Sequence, residues 1–226
     1  MRLGVLFSGG KDSTLALHLA AEKDEVVCLI TLVSKNKESY MFHTPNIDVT
    51  GLQAEALGLP LVSVITEGKK EEELADLEKA IVEAKSKFGI EGIVTGAVES
   101  VYQSTRIQRI CDKLKHQCYN PLWKHDQKDL LESLIKKKFK VIISGIFAYP
   151  LDETWLGKQI DPEVIARLVE LQAKYGISPS GEGGEIETTV LDAPMFKQKL
   201  EITDATVDAK GNSGVYIIKQ MHLVAK

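Results

Sequence analysis

Cysteine is scarce in this chain: Cys28, Cys111 and Cys118 are its three residues of that type in 226, with no Cys-x-x-Cys spacing. An odd number cannot all be bridged, so a disulfide scaffold is excluded and the thiols read as reduced, two of them as packing groups. Long apolar runs are also missing. The longest, Val26 to Val33, falls far short of the roughly 18 residues of a membrane span. Only Leu3 to Phe7 separate Arg2 from Ser8, too little for the hydrophobic part of a secretory signal, so the expected compartment is the cytoplasm. There is no excess of positive charge: Lys and Arg total 28 against 32 for Asp and Glu, a net −4. Any phosphate must therefore be held by a local site, and general affinity for nucleic acid is disfavoured. No Pro/Gly/Ser linker, internal repeat or low-complexity tract is visible. What remains is an ordinary globular balance, 44% hydrophobic and 27% charged residues, in a chain long enough to bury a sizeable core.

The order of elements is legible from periodicity. Leu3 to Phe7, Glu25 to Val33, Leu61 to Ile65 and Gly92 to Thr95 are unalternating, mostly β-branched runs, each followed by a helical stretch. These helices are Asp12 to Glu22, Thr50 to Leu57, Glu71 to Phe88 and Val101 to Lys115. Strands alternating with helices predict an α/β fold with a parallel sheet. A fifth buried run, Lys140 to Ser144, follows the helix Gln127 to Lys138 and could simply extend that sheet, with another helix over Pro162 to Tyr175. The pattern then changes: Glu187 to Leu191, Leu200 to Thr206 and Val215 to Val224 read as short strands, with Lys210 to Gly214 a hairpin connection. This predicts a parallel-sheet part over 1–120 and a smaller α+β part over 121–226, closely packed on the first.

The most informative residues are Ser8, Gly9, Gly10, Lys11, Asp12 and Ser13, between the first strand and the first helix. Glycines let the backbone turn tightly and approach a ligand, and the free N–H groups and dipole of the following helix attract an anion. Ser8 and Ser13 add hydroxyl donors, Lys11 adds a mobile positive charge, and Asp12 could hold Mg²⁺ or cap the helix. The plainer reading is a strand-to-helix turn in which Ser, Gly and Asp serve only as caps. The spacing is not that of a Walker A loop, which would require glycine at Val5 and a hydroxyl at Asp12. It does resemble the Ser-Gly-Gly-x-Asp-Ser signature of the PP-loop ATP pyrophosphatases, which cleave ATP to AMP and pyrophosphate. A loop gripping the outer phosphates leaves the α-phosphorus open to a nucleophile. Donors placed at the developing charge would then lower the barrier.

A second cluster, Ser180-Gly181-Glu182-Gly183-Gly184-Glu185-Ile186-Glu187-Thr188, places three carboxylates among glycines. It either coordinates a cation or frames a ligand, or it is a solvated acidic turn before an edge strand. Together with the phosphate loop, this stretch and its continuation Leu191-Asp192-Ala193-Pro194-Met195-Phe196-Lys197 resemble the diphthine–ammonia ligase family. So do Tyr40 to Asn46, Leu52 to Ala56, Pro121-Leu122-Trp123, Gln127 to Leu131, Leu151-Asp152 and Leu156-Gly157-Lys158. The resemblance implies a PP-loop, Rossmann-like domain and an ATP-dependent reaction. In it the carboxylate of diphthine, a modified histidine of translation elongation factor 2, is activated and combines with ammonia to give diphthamide, AMP and pyrophosphate. No glutaminase signature is present, so free ammonium is the expected nitrogen source.

On that resemblance Lys11, Asp12, Glu182 and Glu185 are the candidate catalytic residues. Ser8 to Ser13 are the ATP-binding residues, joined by Thr31, Leu32, Gly96 and Ala97 where ligands of open α/β sheets collect. Asp12 is the candidate Mg²⁺ ligand. Candidate substrate-binding residues are His43, Gln103, Arg106, Trp155, Glu182, Gly183, Gly184, Glu185, Glu187 and Thr188. Gln103 and Arg106 share a helix face and could reach a phosphate or carboxylate, or Arg106 could form a surface ion pair. Diphthine bears a trimethylammonium group, for which an aromatic face beside carboxylates is the natural receptor. Trp155, flanked by Asp152 and Glu153, is available for that role, whereas Trp123 reads as core. Two other functions stay open: tRNA thiolation by a PP-loop enzyme, which would need a cysteine near the nucleotide, and a module that binds ATP without turnover. The sequence does not decide oligomeric state, and a homo-oligomer stays open.

Overall fold

The computed structural model describes residues 1–36, 45–69 and 72–226. Nine strands and six α-helices are described. The first part runs β1 (Arg2–Leu6), α1 (Lys11–Ala21), β2 (Glu25–Ser34), α2 (Thr50–Leu57), β3 (Leu61–Thr66), α3 (Glu72–Phe88), β4 (Gly92–Val94), α4 (Val101–Leu114) and β5 (Gln117–Tyr119). The second runs α5 (Gln127–Lys136), β6 (Lys140–Ile146), α6 (Pro162–Tyr175), β7 (Ile186–Asp192), β8 (Gln198–Lys210) and β9 (Ser213–Ala225).

The five strands of the first part form a parallel sheet in the order β3-β2-β1-β4-β5. The order reverses between β1 and β4, and the crevice at their carboxyl ends is where an open α/β sheet takes its ligand. One face of this sheet packs Ile30, Leu32, Val62 and Ile93 against Leu77 and Ile81 of α3 and Ile107 and Ile110 of α4. The other face, with Leu3 and Val5, shares a single core with α1, α2, α5 and α6 and with Val141, Ile143, Ile146 and Val190 of the second sheet.

That second sheet is antiparallel, in the order β7-β6-β9-β8. It corrects one expectation: Lys140–Ile146 does not extend the parallel sheet but lies inside this one, between β7 and β9. A strand covered on both faces shows the same unalternating run whichever way its neighbours point. The edge of the parallel sheet is taken instead by β5, three residues long and too short to carry a pattern. Trp123 is only half-buried, and it is its neighbour Leu122 that enters the core.

Candidate functional site

The bend Ser8–Gly10 carries the chain from β1 into α1. Gly9 has φ +77°, and a methyl group there would lie 2.1 Å from the Gln53 Oε1, so both the turn and the close approach require glycine. Helix α1 starts at Gly10 with no side-chain cap, so Asp12 does not cap it. Instead Asp12 Oδ2 accepts from the buried Lys11 Nζ at 2.7 Å, while Asp12 Oδ1 is buried with no partner. The Ser8 and Ser13 hydroxyls lie 3.2 Å apart, and Ser13 Oγ donates to the Gly10 carbonyl at 3.2 Å.

The loop is fastened to the free edge of the second sheet. Strand β7 is an edge strand, and its outward backbone groups at Val190 need partners. The Val190 N–H donates to the Gly9 carbonyl at 3.0 Å. Gln53 Nε2, fully buried on α2, donates to both the Gly9 carbonyl at 2.9 Å and the Val190 carbonyl at 2.8 Å. Two residues back, Thr188 Oγ1 accepts from the Lys11 N–H at 3.1 Å. One strand therefore seats the loop and, at its start, delivers Glu187 to it.

Three carboxylates, from Asp12, Glu182 and Glu187, act electrostatically on one ammonium, that of Lys11. Desolvation is the largest influence on Lys11 and lowers its pKa, but the three carboxylates outweigh it and the net shift is upward. Glu182 is pushed up to about 7, first by desolvation and then by the Asp12 charge, with Lys11 and a hydrogen bond from Ser180 opposing. Glu187 is likewise pushed up to about 7, chiefly by desolvation, with Lys11 opposing and Asp12 and Glu182 adding to the rise. Carboxyl groups near neutrality beside a phosphate loop are suited to exchanging protons at physiological pH.

The other expected residues divide. Glu185 is not part of the charged cluster: its Oε1 accepts from the Ser178 N–H and its Oε2 from the Gly183 N–H, both at 2.9 Å, so it closes its own loop. Gly183 and Gly184 are exposed on that loop, and Gly184 sits at φ +84°. Thr31 Oγ1 donates to the Phe7 carbonyl at 2.6 Å and the Leu32 side chain is in the core, leaving only their backbone toward the crevice. Ala97, its N–H on Thr95 Oγ1 at 3.2 Å, follows Gly96. A Cβ on Gly96 would stand 2.7 Å from the Ser13 nitrogen, so the turn after β4 packs directly on the start of α1. The Gln103 N–H donates to Ser100 Oγ at 3.3 Å, and the Arg106 guanidinium lies 3.5 Å over the Tyr102 ring. His43 lies outside the described residues. Trp155 needs correction as a cation receptor: it is 3% exposed, with the Arg167 guanidinium 4.5 Å and the Lys158 ammonium 5.7 Å from its ring centroid. A ligand cation would find the ring already paired.

Three residues that position the site were given no role from sequence, although Gln53 and Gln127 lie in the stretches Leu52 to Ala56 and Gln127 to Leu131 that carry the resemblance. Gln53 is a fully buried polar residue in an alanine-rich helix, a signal in itself. Gln127 Oε1 accepts from Ser178 Oγ at 2.5 Å and Ser180 Oγ at 3.0 Å, holding the acidic loop against the start of α5. Phe147 follows β6, and its N–H donates to the Glu185 carbonyl at 2.9 Å.

A parallel sheet in this order, with a Ser-Gly-Gly-Lys-Asp-Ser bend at its switch point, defines a PP-loop nucleotide-binding protein of the α/β class. Two family models match, diphthamide synthase N-terminal domain over residues 1–117 and diphthamide synthase C-terminal domain over residues 126–224. The chain belongs to the diphthamide synthase family. It is 34% identical to the diphthine–ammonia ligase of Mus musculus over 100% of its length and 94% of the relative's. The Bos taurus diphthine–ammonia ligase is 35% identical over 92% of this chain and 85% of that one. Among solved structures, a 4-thiouridine synthetase–RNA complex with bound ATP aligns at TM-score 0.41 and 16% identity, covering 84% of this chain and 55% of that one, too loose a likeness to inform function.

Proposed function

We propose that this chain is an ATP-dependent diphthine–ammonia ligase, which adenylates the carboxylate of diphthine on elongation factor 2 and couples it to ammonium, releasing AMP and pyrophosphate. The observation that carries this is the Ser8–Ser13 bend seated on β7, in a chain matching diphthine–ammonia ligases along nearly its whole length. We divide the labour near residue 120, with the nucleotide held mainly by 1–120 and the modified protein met by 121–226.

The first turn of α1 supplies main-chain N–H groups and the positive end of its dipole to the outer phosphates of ATP. Ser8 and Ser13 add hydroxyl donors, and Lys11 stabilises charge as the bond to pyrophosphate lengthens. The turn Thr95–Ala97 and the backbone at Thr31 and Leu32 line the crevice for the adenine. The unpartnered, buried Asp12 Oδ1 fits a Mg²⁺ ligand. Among the described residues no three His, Cys, Asp or Glu side chains converge as a full metal cage, which suits an ion otherwise held by phosphates and water. When bound, the ion neutralises the departing pyrophosphate. Glu182, poised near neutrality, takes a proton as ammonium becomes the attacking ammonia. Glu185 keeps the acidic loop in place.

The thiolation reading finds little support. Cys28 and Cys111 are fully buried, burial pushes the Cys28 thiol up to about 11, and the half-buried Cys118 thiol is lowered chiefly by its hydrogen bond with Cys111.

Incubation with Mg-ATP, ammonium and diphthine-bearing factor should yield AMP, and mass spectrometry should show the factor's carboxyl converted to an amide. A chelator should stop both. ADP and orthophosphate as products, or bound ATP left intact with an unchanged factor, would refute the reading.

A further inference from the structure

We infer that the exposed ring of Phe147 is the receptor for the quaternary ammonium group of the substrate. The inference rests on the ligase reading for the substrate's identity and on the structure for the place.

Phe147 is 40% exposed at the end of β6. Its backbone N–H is tied to the Glu185 carbonyl, so it belongs structurally to the acidic loop. Gly145, two residues earlier, pairs with Glu187 across the sheet. A Cβ built on Gly145 would lie 2.8 Å from Phe147 Cε2, 3.0 Å from Cζ and 3.1 Å from the Glu187 Cβ. The ring thus folds over the bare Gly145 backbone, on the side where the Glu187 Cβ also lies, and the Glu187 charge acts on Lys11. Among the described residues the other exposed aromatics are engaged: Tyr149 and Tyr175 meet edge-to-face at 5.3 Å. Trp155 is buried under Arg167.

Diphthine carries its carboxylate and its trimethylammonium on the same carbon. Once the carboxylate is placed for attack beside the phosphate loop, the cation is necessarily nearby. A quaternary ammonium has no N–H to donate, so hydrogen-bond acceptors alone hold it poorly. An aromatic face with an adjacent carboxylate attracts it through the ring quadrupole and the charge together. Phe147 with Glu187, whose charge acts on Lys11, supplies both.

The test uses two probes of equal shape, glycine betaine and its uncharged-carbon isostere 3,3-dimethylbutyrate, titrated into the full chain and followed by NMR. Wild type and Phe147→Trp should bind betaine about tenfold more tightly than the isostere, and Phe147→Leu should lose that preference. No preference in wild type, or an undiminished preference in Phe147→Leu, overturns the inference. In the ligation assay Phe147→Leu should raise KM for the diphthine-bearing factor about tenfold while ATP affinity stays unchanged; a KM within twofold of wild type also overturns it. If wild type forms no amide yet prefers betaine through Phe147, the ligase reading fails and the cation receptor stands.

Discussion

Gln53 is where fold and site can be tested with one substitution. Gln53→Met keeps the length and roughly the volume of the side chain but removes both donors. The Gly9 carbonyl would keep its bond from the Val190 N–H, whereas the Val190 carbonyl would lose the Gln53 donor. An unpaired buried carbonyl costs about 1–3 kcal/mol, and the second lost bond adds about 1. Gln53 Oε1 is itself buried without a partner, so removing it returns about 1 kcal/mol. The net expectation is a loss of about 2 kcal/mol in urea denaturation, with ATP binding weakened about tenfold in calorimetry because the loop loses a tether. A companion cycle sharpens the point. Gly9→Ala meets Gln53 Oε1 in wild type but not in a Gln53→Ala background, so the two changes together should cost less than their sum. A Gln53→Met protein within 0.5 kcal/mol of wild type, or strict additivity in the cycle, would refute the reasoning.

Glu187 holds a proton up to about 7 in the folded chain, well above its ordinary value of 4.5. The folded state therefore binds more protons than the unfolded one within that window, and this group's contribution to stability is present at low pH and lost as pH rises through about 7. Glu187→Gln should match wild type in urea melts at pH 5 and exceed it by about 1–2 kcal/mol at pH 8; equal stability at both would count against it. Gly96→Ala should cost about 1–3 kcal/mol and weaken ATP binding, since the new methyl meets main-chain atoms of Asp12 and Ser13, read by thermal shift with and without ATP. Glu185→Ala should lower stability by about 1–2 kcal/mol, because the Ser178 and Gly183 N–H groups lose their acceptor. ATP affinity should survive that change, and calorimetry showing its loss would overturn the purely loop-closing role.

The parallel half of the fold was legible because its inner strands β1 and β2 are buried along their middles and every strand is separated from the next by a helix or a helix-bearing stretch. Helices Thr50–Leu57 and Pro162–Tyr175 appear with the bounds read from sequence, the second between an Asp161 cap and Gly176. The run Lys140 to Ser144 is compatible with either sheet from sequence, because burial records how many faces are covered and not which way a neighbour runs; it lies in the antiparallel one. In the acidic loop, residue type alone could not separate Glu182 and Glu187, which act on Lys11, from Glu185, which turns back on its own N–H groups. Trp155 looked available because Asp152 and Glu153 flank it, but the cation that occupies its face, Arg167, comes from α6.

Residues 187–190 serve two neighbours at once. Glu187 acts on the Lys11 ammonium, while Thr188 and Val190, one and three places along, hold the Ser8–Ser13 bend itself. A strand advances only about 3.3 Å per residue. Anything that displaced this segment would displace the bend with it, through the Val190–Gly9 and Lys11–Thr188 bonds. A first half severed from that strand would keep the Gln53 donor and the Gly96 turn against its bend but lose the Val190 and Thr188 bonds that complete the seat.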